Sequence, residues 1–372
     1  MKKKNRIWLY SSFILGFVLV FTNSCKKDEN SSDTGNNNTT FPKSYIVGYQ
    51  SNGSMNVVKY WKDGVAASLS DGTKNEEALS IFVSGTDVYA AGFSDDAPGS
   101  LYDDPTKMPE YWKNGVAVPL NVVYFGGAVS GTNGIANSIF VQGGNVYVAG
   151  YEEDGSCNDY AAAIWVNGGA PTILSIPYNE DAQANSVFVT ESGDVYVAGE
   201  RNVMGANANQ VTLWLNGAES AVTDGSAQVE ANSVFVSGSD VYICGGEFNS
   251  TTLNWAAVYW KNGAINYLTD GSKFAGANSI YVSGNNVYVA GDRSMESSSM
   301  PEATYWKNGV ATSLTPKGAG SAKSIYVSGS DVYVCGINET GIKNVATCWK
   351  NGTAFPLTDG SETAFATGIF VP

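Results

Sequence analysis

Beyond residue 24 the chain holds two arginines, and each follows an acid: Glu200–Arg201 and Asp292–Arg293. A guanidinium fork offers paired donors suited to gripping an anion or a carboxylate partner. A local surface ion pair of small energetic value is the other reading. Asparagine recurs at Asn137, Asn185, Asn232 and Asn278, each directly before a serine. A ring of amide carbonyls offers hard oxygens of the kind calcium takes, and amides in such places also bond nearby backbone. Trp255 stands off the register of the other tryptophans. It is a platform for stacking on a sugar or peptide, or a lid on Phe248. Tyr151 and Glu247 lie in the loops between the second and third strands of two separate repeats, loops rich in acids and unpatterned aromatics. The 372 residues include no histidine. That removes Ser-His-Asp and Cys-His catalysis, His-ligated zinc and imidazole proton shuttles. Paired Asp or Glu side chains can do acid–base work without it, but the linear sequence displays no catalytic constellation.

Charge narrows the partners. Lys and Arg number 21 and Asp and Glu 35, a net charge of −14. Such a body repels phosphate backbones, so nucleic acid is excluded as a partner. Residues 154–159 place oxygens at alternate positions as a calcium loop does, but without its turn glycine or its late Glu. Cys244, Cys335 and Cys348 fall in slots that hold Ala or Tyr in other repeats, and they read as small buried fillers.

The elements that position these residues come from internal repetition. Ser-[Ile/Val]-[Phe/Tyr]-Val starts at Ser80, Ser138, Ser186, Ser233, Ser279 and Ser324, with a seventh copy at Gly368. Tyr-x-x-Gly starts at Tyr45, Tyr89, Tyr147, Tyr196, Tyr242, Tyr288 and Tyr333. Trp-x-[Asp/Asn]-Gly starts at Trp61, Trp112, Trp165, Trp214, Trp260, Trp306 and Trp349. Each unit reads as four strands. A short polar turn joins the first two, and an Asn-Gly or Asp-Gly turn of type I′ joins the last two. Strands one and two carry continuous apolar runs, which predicts cover on both faces of each small sheet. Seven such sheets around an axis make an all-β, seven-bladed β-propeller of four-stranded antiparallel blades.

Neither end of the repeat region is a whole unit. It begins at strand two (Tyr45–Gly48) and stops after strand one (Ile369–Val371). The C-terminal strand is therefore expected to pair with the N-terminal strand and close the ring. The domain reading is a propeller over 41–372, with blade 1 made of 41–77 plus 366–372. Strand order places the short, uniform turns on one face and the variable loops, with most candidate residues, on the other.

Residues 1–24 have a basic start (Lys2, Lys3, Lys4, Arg6), an apolar run from Ile7 to Phe21, and then Thr22-Asn23-Ser24-Cys25. This is the build of a secretory signal. The cysteine resembles the acylated residue of a bacterial lipobox, with Ser24 in pattern and Thr22 and Asn23 departing from it. Residues 25–40 then read as a lipidated Cys25 plus a polar linker. Lys26-Lys27-Asp28-Glu29 resembles a surface-export tag; an ordinary linker is the alternative.

The repeat Val-Tyr-x-Ala-Gly … Tyr-Trp-Lys-Asn-Gly-Val resembles those of secreted bacterial lipoproteins with seven-bladed propellers, over residues 44–372. The resemblance implies the architecture and an outer-membrane, lipid-anchored address with exposure at the cell surface. The functional expectation is a non-catalytic binding module, reading against an enzyme. It would recognise a glycan, peptide or protein through the variable face, with no cofactor required and calcium as the ion an Asn ring would take. The alternatives are a calcium-dependent hydrolase or lactonase-like enzyme, or a scaffold subunit of an envelope complex.

Overall fold

The computed structural model describes residues 41–95, 107–122, 133–154, 159–175, 181–202, 208–294, 301–316, 318–339, 341 and 343–372. Within them lie seven four-stranded antiparallel sheets. Blade 1 consists of the inner strand Ala364–Phe370, then Tyr45–Ser51, Asn56–Lys62 and Val65–Ser68. Blades 2 to 7 follow in chain order, with inner strands Glu76–Ser84, Gly134–Gln142, Ala182–Val189, Val229–Ser237, Ala275–Ser283 and Ala319–Ser328. The last strand pairs antiparallel with the first, Tyr45 opposite Phe370 and Gln50 opposite Ala364, so the ring closes as the sequence requires.

The outer turns follow from their residues. Asp63, Asn114, Asn167, Asn216, Asn262, Asn308 and Asn351 have φ of 50–55°, and the glycine after each lies at 69–84°. This is the pair of left-handed conformations that a type I′ hairpin demands. Each Oδ1 also accepts a backbone N–H from the second strand, as from Val88 to Asn114 at 2.9 Å and from Val241 to Asn262 at 2.8 Å.

The seven repeat tryptophans are the largest fully buried side chains, and each sits at a seam between blades. Trp214, for example, packs with Ala162, Ile164 and Leu174 of blade 3. Trp214→Ala is expected to cost about 3–5 kcal/mol, the usual range for emptying such a site. A shifted urea midpoint at unchanged slope would register it.

One expectation is corrected. The inner strands are not continuously buried; burial alternates, as in Glu76–Ser84. One side of each inner strand meets the axis and the other a neighbouring blade. The second strands do keep a continuous buried run, as in Asp87–Asp95.

Every inner strand also carries a bulge one residue before its repeat serine or, in blade 1, before Gly368. The bulge requires a glycine on the second strand: a Cβ on Gly92 would lie 1.8 Å from the carbonyl oxygen of Glu77. It also turns two consecutive residues toward the axis, which is what builds the site.

Candidate functional site: the axial belt and its mouth

The bulged residues are Leu79, Asn137, Asn185, Asn232, Asn278, Lys323 and Thr367. Four amides reach around the axis to the next blade. The Nδ2 groups of Asn137, Asn185, Asn232 and Asn278 donate to the carbonyls of Ala184, Ala231, Ala277 and Ala322 at 3.1, 2.8, 2.9 and 2.9 Å. The Thr367 hydroxyl donates to the carbonyls of Ala78 (2.7 Å) and Val47 (3.1 Å). One step deeper, each serine oxygen accepts the N–H of the next blade. Val187 donates to Ser138 at 3.2 Å, Val234 to Ser186 at 3.0 Å and Ile325 to Ser279 at 3.3 Å. Toward the turn face follows a closed collar of seven aromatics: Phe82, Phe140, Phe188, Phe235, Tyr281, Tyr326 and Phe370. Neighbouring ring centroids in it are 4.6–5.3 Å apart. Above the collar the belt lines an open-mouthed cavity of about 130 Å³.

The mouth toward the variable loops is set by the residue three before each serine. That slot holds Phe365, Glu77, Ile135, Gln183, Glu230, Gly276 and Ser321 in turn. Against it, from the preceding blade, lies the residue after the repeat glycine. In this way Tyr49 meets Glu77, Glu200 meets Glu230, and Asp292 meets Ser321.

Three seams therefore gather carboxyls. Between blades 4 and 5, Glu200 is pushed up to about 8, first by burial and then by Glu230, although the Ala231 N–H and Asn209 pull it down. Its Oε2 is buried without a hydrogen-bond partner. Glu230 is exposed in accessibility, yet protein around its carboxyl raises its pKa through lost hydration. Between blades 1 and 2, Glu77 Oε1 accepts from Asn56 Nδ2 at 2.8 Å, and desolvation raises its pKa. Beside it, buried Glu110 is raised to about 7 by burial and by Glu76; Glu110 Oε1 and Glu76 Oε2 have no partner. Between blades 6 and 7, Asp292 accepts from Ser321 Oγ (3.0 Å), Ala322 N (3.0 Å) and Asn278 Nδ2 (3.3 Å); burial still raises its pKa.

The candidate residues fall as follows. The acid–Arg neighbours do not pair with each other, because successive strand residues point to opposite sides of a sheet. Arg201 bridges Glu219 at 3.2 Å, and Arg293 Nε bridges Glu302 Oε1 at 2.9 Å. Trp255 meets Phe248 edge-on at 5.7 Å. Its indole fills the slot left by Gly246, where a Cβ would be 2.9 Å from the ring. That side of blade 5 faces blade 6, since Ala257, two residues on, packs with Ala275 and Ala277. Glu200 instead faces blade 5 from blade 4, so a blade's thickness separates it from Trp255. Glu247 accepts from the Tyr267 hydroxyl. Tyr151 is buried with Phe93 and Ile135, its ring 4.9 Å from that of Tyr160. Cys244, Cys335 and Cys348 are buried free thiols, and burial raises each. Cys25 and residues 155–158 lie outside the described residues. Among the described residues no group of three or more Asp, Glu or Cys side chains is placed to hold a metal ion.

Glu230, Glu77, Glu76 and Glu110 were missed by the sequence reading. Aligning the seven inner strands and asking which axis-facing slots carry a carboxyl would have found the first two.

No protein-family model matches the chain, and no curated protein matches it. Solved structures do. The β-propeller domain of the Trilobed protease from Pyrococcus furiosus is 12% identical over 85% of this chain and 94% of that one, with a TM-score of 0.50. That domain is described as having an open velcro topology; here the ring is closed by strand pairing. A puromycin-hydrolyzing peptidase of Mycobacterium tuberculosis is 10% identical over 84% of this chain, at a TM-score of 0.51. This chain spans only 53% of that peptidase. A sialidase mutant of Trypanosoma rangeli is 9% identical over 78% of this chain and 53% of that one, at a TM-score of 0.46. At these identities the likeness establishes the propeller fold.

The expectation of a non-catalytic binding module, and the reading against an enzyme, are corrected here. The solved propellers named above at TM-scores of 0.50 and 0.51 belong to a protease and a peptidase. The premise of that expectation also fails, because folding brings Glu200 and Glu230 together across 30 residues of sequence into the kind of carboxyl pair the linear chain did not display.

Proposed function

We propose that the protein is a hydrolase that uses carboxyl acid–base chemistry on a glycosidic bond, with Glu200 and Glu230 at the mouth of the axial funnel as its working pair. The observation that carries this is the split environment of the two acids. Glu200 is half-buried with its Oε2 sealed from solvent and is raised to about 8, so at neutral pH it keeps its proton; Glu230 is the more exposed of the two, although lost hydration raises it as well. Two neighbouring carboxyls in unequal surroundings can divide the roles of acid and base. The pair begins the cycle holding one proton. Water loses a proton to it as its oxygen attacks the anomeric carbon, and the pair releases a proton to the leaving oxygen, so its charge is restored. Acetal hydrolysis needs only such an acid and base. Amide hydrolysis also calls for donors to a developing oxyanion.

In the same reading the protein works at the cell envelope, tethered to the outer membrane by a lipid on Cys25. The basic start and apolar run ahead of that cysteine support this. The test is reducing-end release from a panel of neutral and acidic polysaccharides, run beside peptide substrates. Glu230→Gln is expected to lower turnover about 10²–10⁴-fold, the usual contribution of a positioned acid or base. Wild-type activity is expected to fall above pH 8 as Glu200 ionises. Full hydrolysis by both Glu230→Gln and Glu200→Gln would overturn the assignment.

A further inference from the structure

The cavity inside the belt has a donor-rich lining with one positive charge. The repeat serines Ser80, Ser138, Ser186, Ser233, Ser279 and Ser324 all line it. Each spends its oxygen as an acceptor for the next blade's N–H. A hydroxyl that accepts still has a proton to donate, and among the described residues none of the six donates a hydrogen bond to the protein. The seventh position is Gly368, which offers no hydroxyl to the N–H of Ile81.

Lys323 lines the same cavity, in the slot held by asparagine in four other blades. Among the described residues no carboxylate lines it; the charge partner of Lys323 is Asp292, which sits at the mouth and accepts from Asn278. The Asn185 carbonyl already takes a bond from Asn137 at 3.2 Å, and the Thr367 proton is committed to backbone. In a chain of net charge −14, a chamber with hydroxyl protons, a cation and no acid stands apart from the rest of the surface.

We propose that the belt is a binding site for one small oxyanion, held by Lys323 and the serine hydroxyls. Charge-assisted bonds to a carboxylate or phosphate oxygen would satisfy donors that otherwise have only water. A volume of about 130 Å³ holds such a group with a few waters, each needing about 30 Å³. The same chemistry is met by a free anion or by the acid group of a bound uronic acid sugar. The site stands without the hydrolase reading, because neither Glu200 nor Glu230 lines it.

The test uses the full chain and calorimetric titration with inorganic phosphate, acetate, glucuronate and, as control, glucose. Saturable binding of at least one anion and none of glucose is expected. Lys323→Asn should weaken it at least tenfold without unfolding the protein. Asparagine already fills that slot in blades 3 to 6, and its amide would reach the Ala366 carbonyl as Asn278 reaches Ala322. Glu200→Gln should keep the affinity, which separates this site from the reaction. Glucuronate binding tighter than acetate marks a sugar acid as the source, and equal affinities mark a free anion. A bromide soak should place a scatterer on the axis beside Lys323. Absence of saturable anion binding, or unchanged affinity in Lys323→Asn, would overturn the proposal, as would calcium binding there in place of anions.

Discussion

Removing Ala364–Pro372 is expected to abolish cooperative folding, although it takes only nine residues from one end. Those residues are the inner strand of blade 1. They bury Ala364, Ala366, Ile369 and Val371 against blades 1 and 7. They also place Phe370 in the aromatic collar between Phe82 and Tyr326, at 5.3 Å from each. Thr367 supplies the hydroxyl bonds that join blade 1 to blade 2. Without them the ring opens, and two inner seams expose apolar faces together with an unpaired strand edge. The loss falls on both neighbours at once. A truncated chain should show a broad, non-cooperative thermal transition and self-association in gel filtration. Supplying the nine-residue peptide in trans should sharpen the transition. A truncated chain that melts cooperatively at the wild-type temperature would refute ring closure as the source of stability.

Closure was legible because it depends on register: the repeats start in the second strand of a unit and end in the first. Turn chemistry was legible for the same kind of reason, since Asn-Gly specifies local φ whatever surrounds it. The site was not. Glu200 and Glu230 meet across a seam, and what makes them a pair is that Glu200 points toward blade 5 rather than toward Arg201. The arginines misled in the converse way. Adjacency in sequence suggested a pair, while strand alternation sent Arg201 to Glu219 and Arg293 to Glu302. The Asn repeat was visible from the start, but its amides' reach to the next blade's carbonyls needs the bulge, which no single-strand pattern announces. Lys323 and Leu79 take the place of that asparagine in two other blades, and an exception in a symmetric ring is where a site can differ from its scaffold.

The second large effect is on stability against pH, and its sign is unusual. Buried carboxylates in ion pairs gain stability as pH rises; the buried carboxyls here lose it. Glu110 is raised to about 7 by burial and Glu76, and Glu200 to about 8 by burial and Glu230. Glu77, Glu230 and Asp292 are raised as well. Between pH 4.5 and 8 the folded protein therefore binds more protons than the unfolded chain, so stability falls as pH rises through that window. Below it the opposite set takes over. Asp87, Asp194, Asp240 and Asp331, at the exposed turns, are lowered chiefly by bonds from Asn or Lys side chains. Their contribution is present above the unfolded value and is lost as pH falls through the folded one. The thermal midpoint is therefore expected to peak near pH 5 and to decline toward pH 8. Glu110→Gln isolates the contributor buried at the seam between blades 1 and 2. Its amide can donate to the unpartnered Oε2 of Glu76 and carries no charge to bury. At pH 5 the variant should melt close to wild type. At pH 8 it should be more stable, by on the order of 3 kcal/mol if one pKa unit is worth about 1.4. Urea titrations of both proteins at the two pH values measure this directly. A wild-type midpoint that is flat from pH 5 to 8, or a variant weaker than wild type at pH 8, would mean that the seam between blades 1 and 2 holds its carboxyls ionised and solvated rather than protonated and dry.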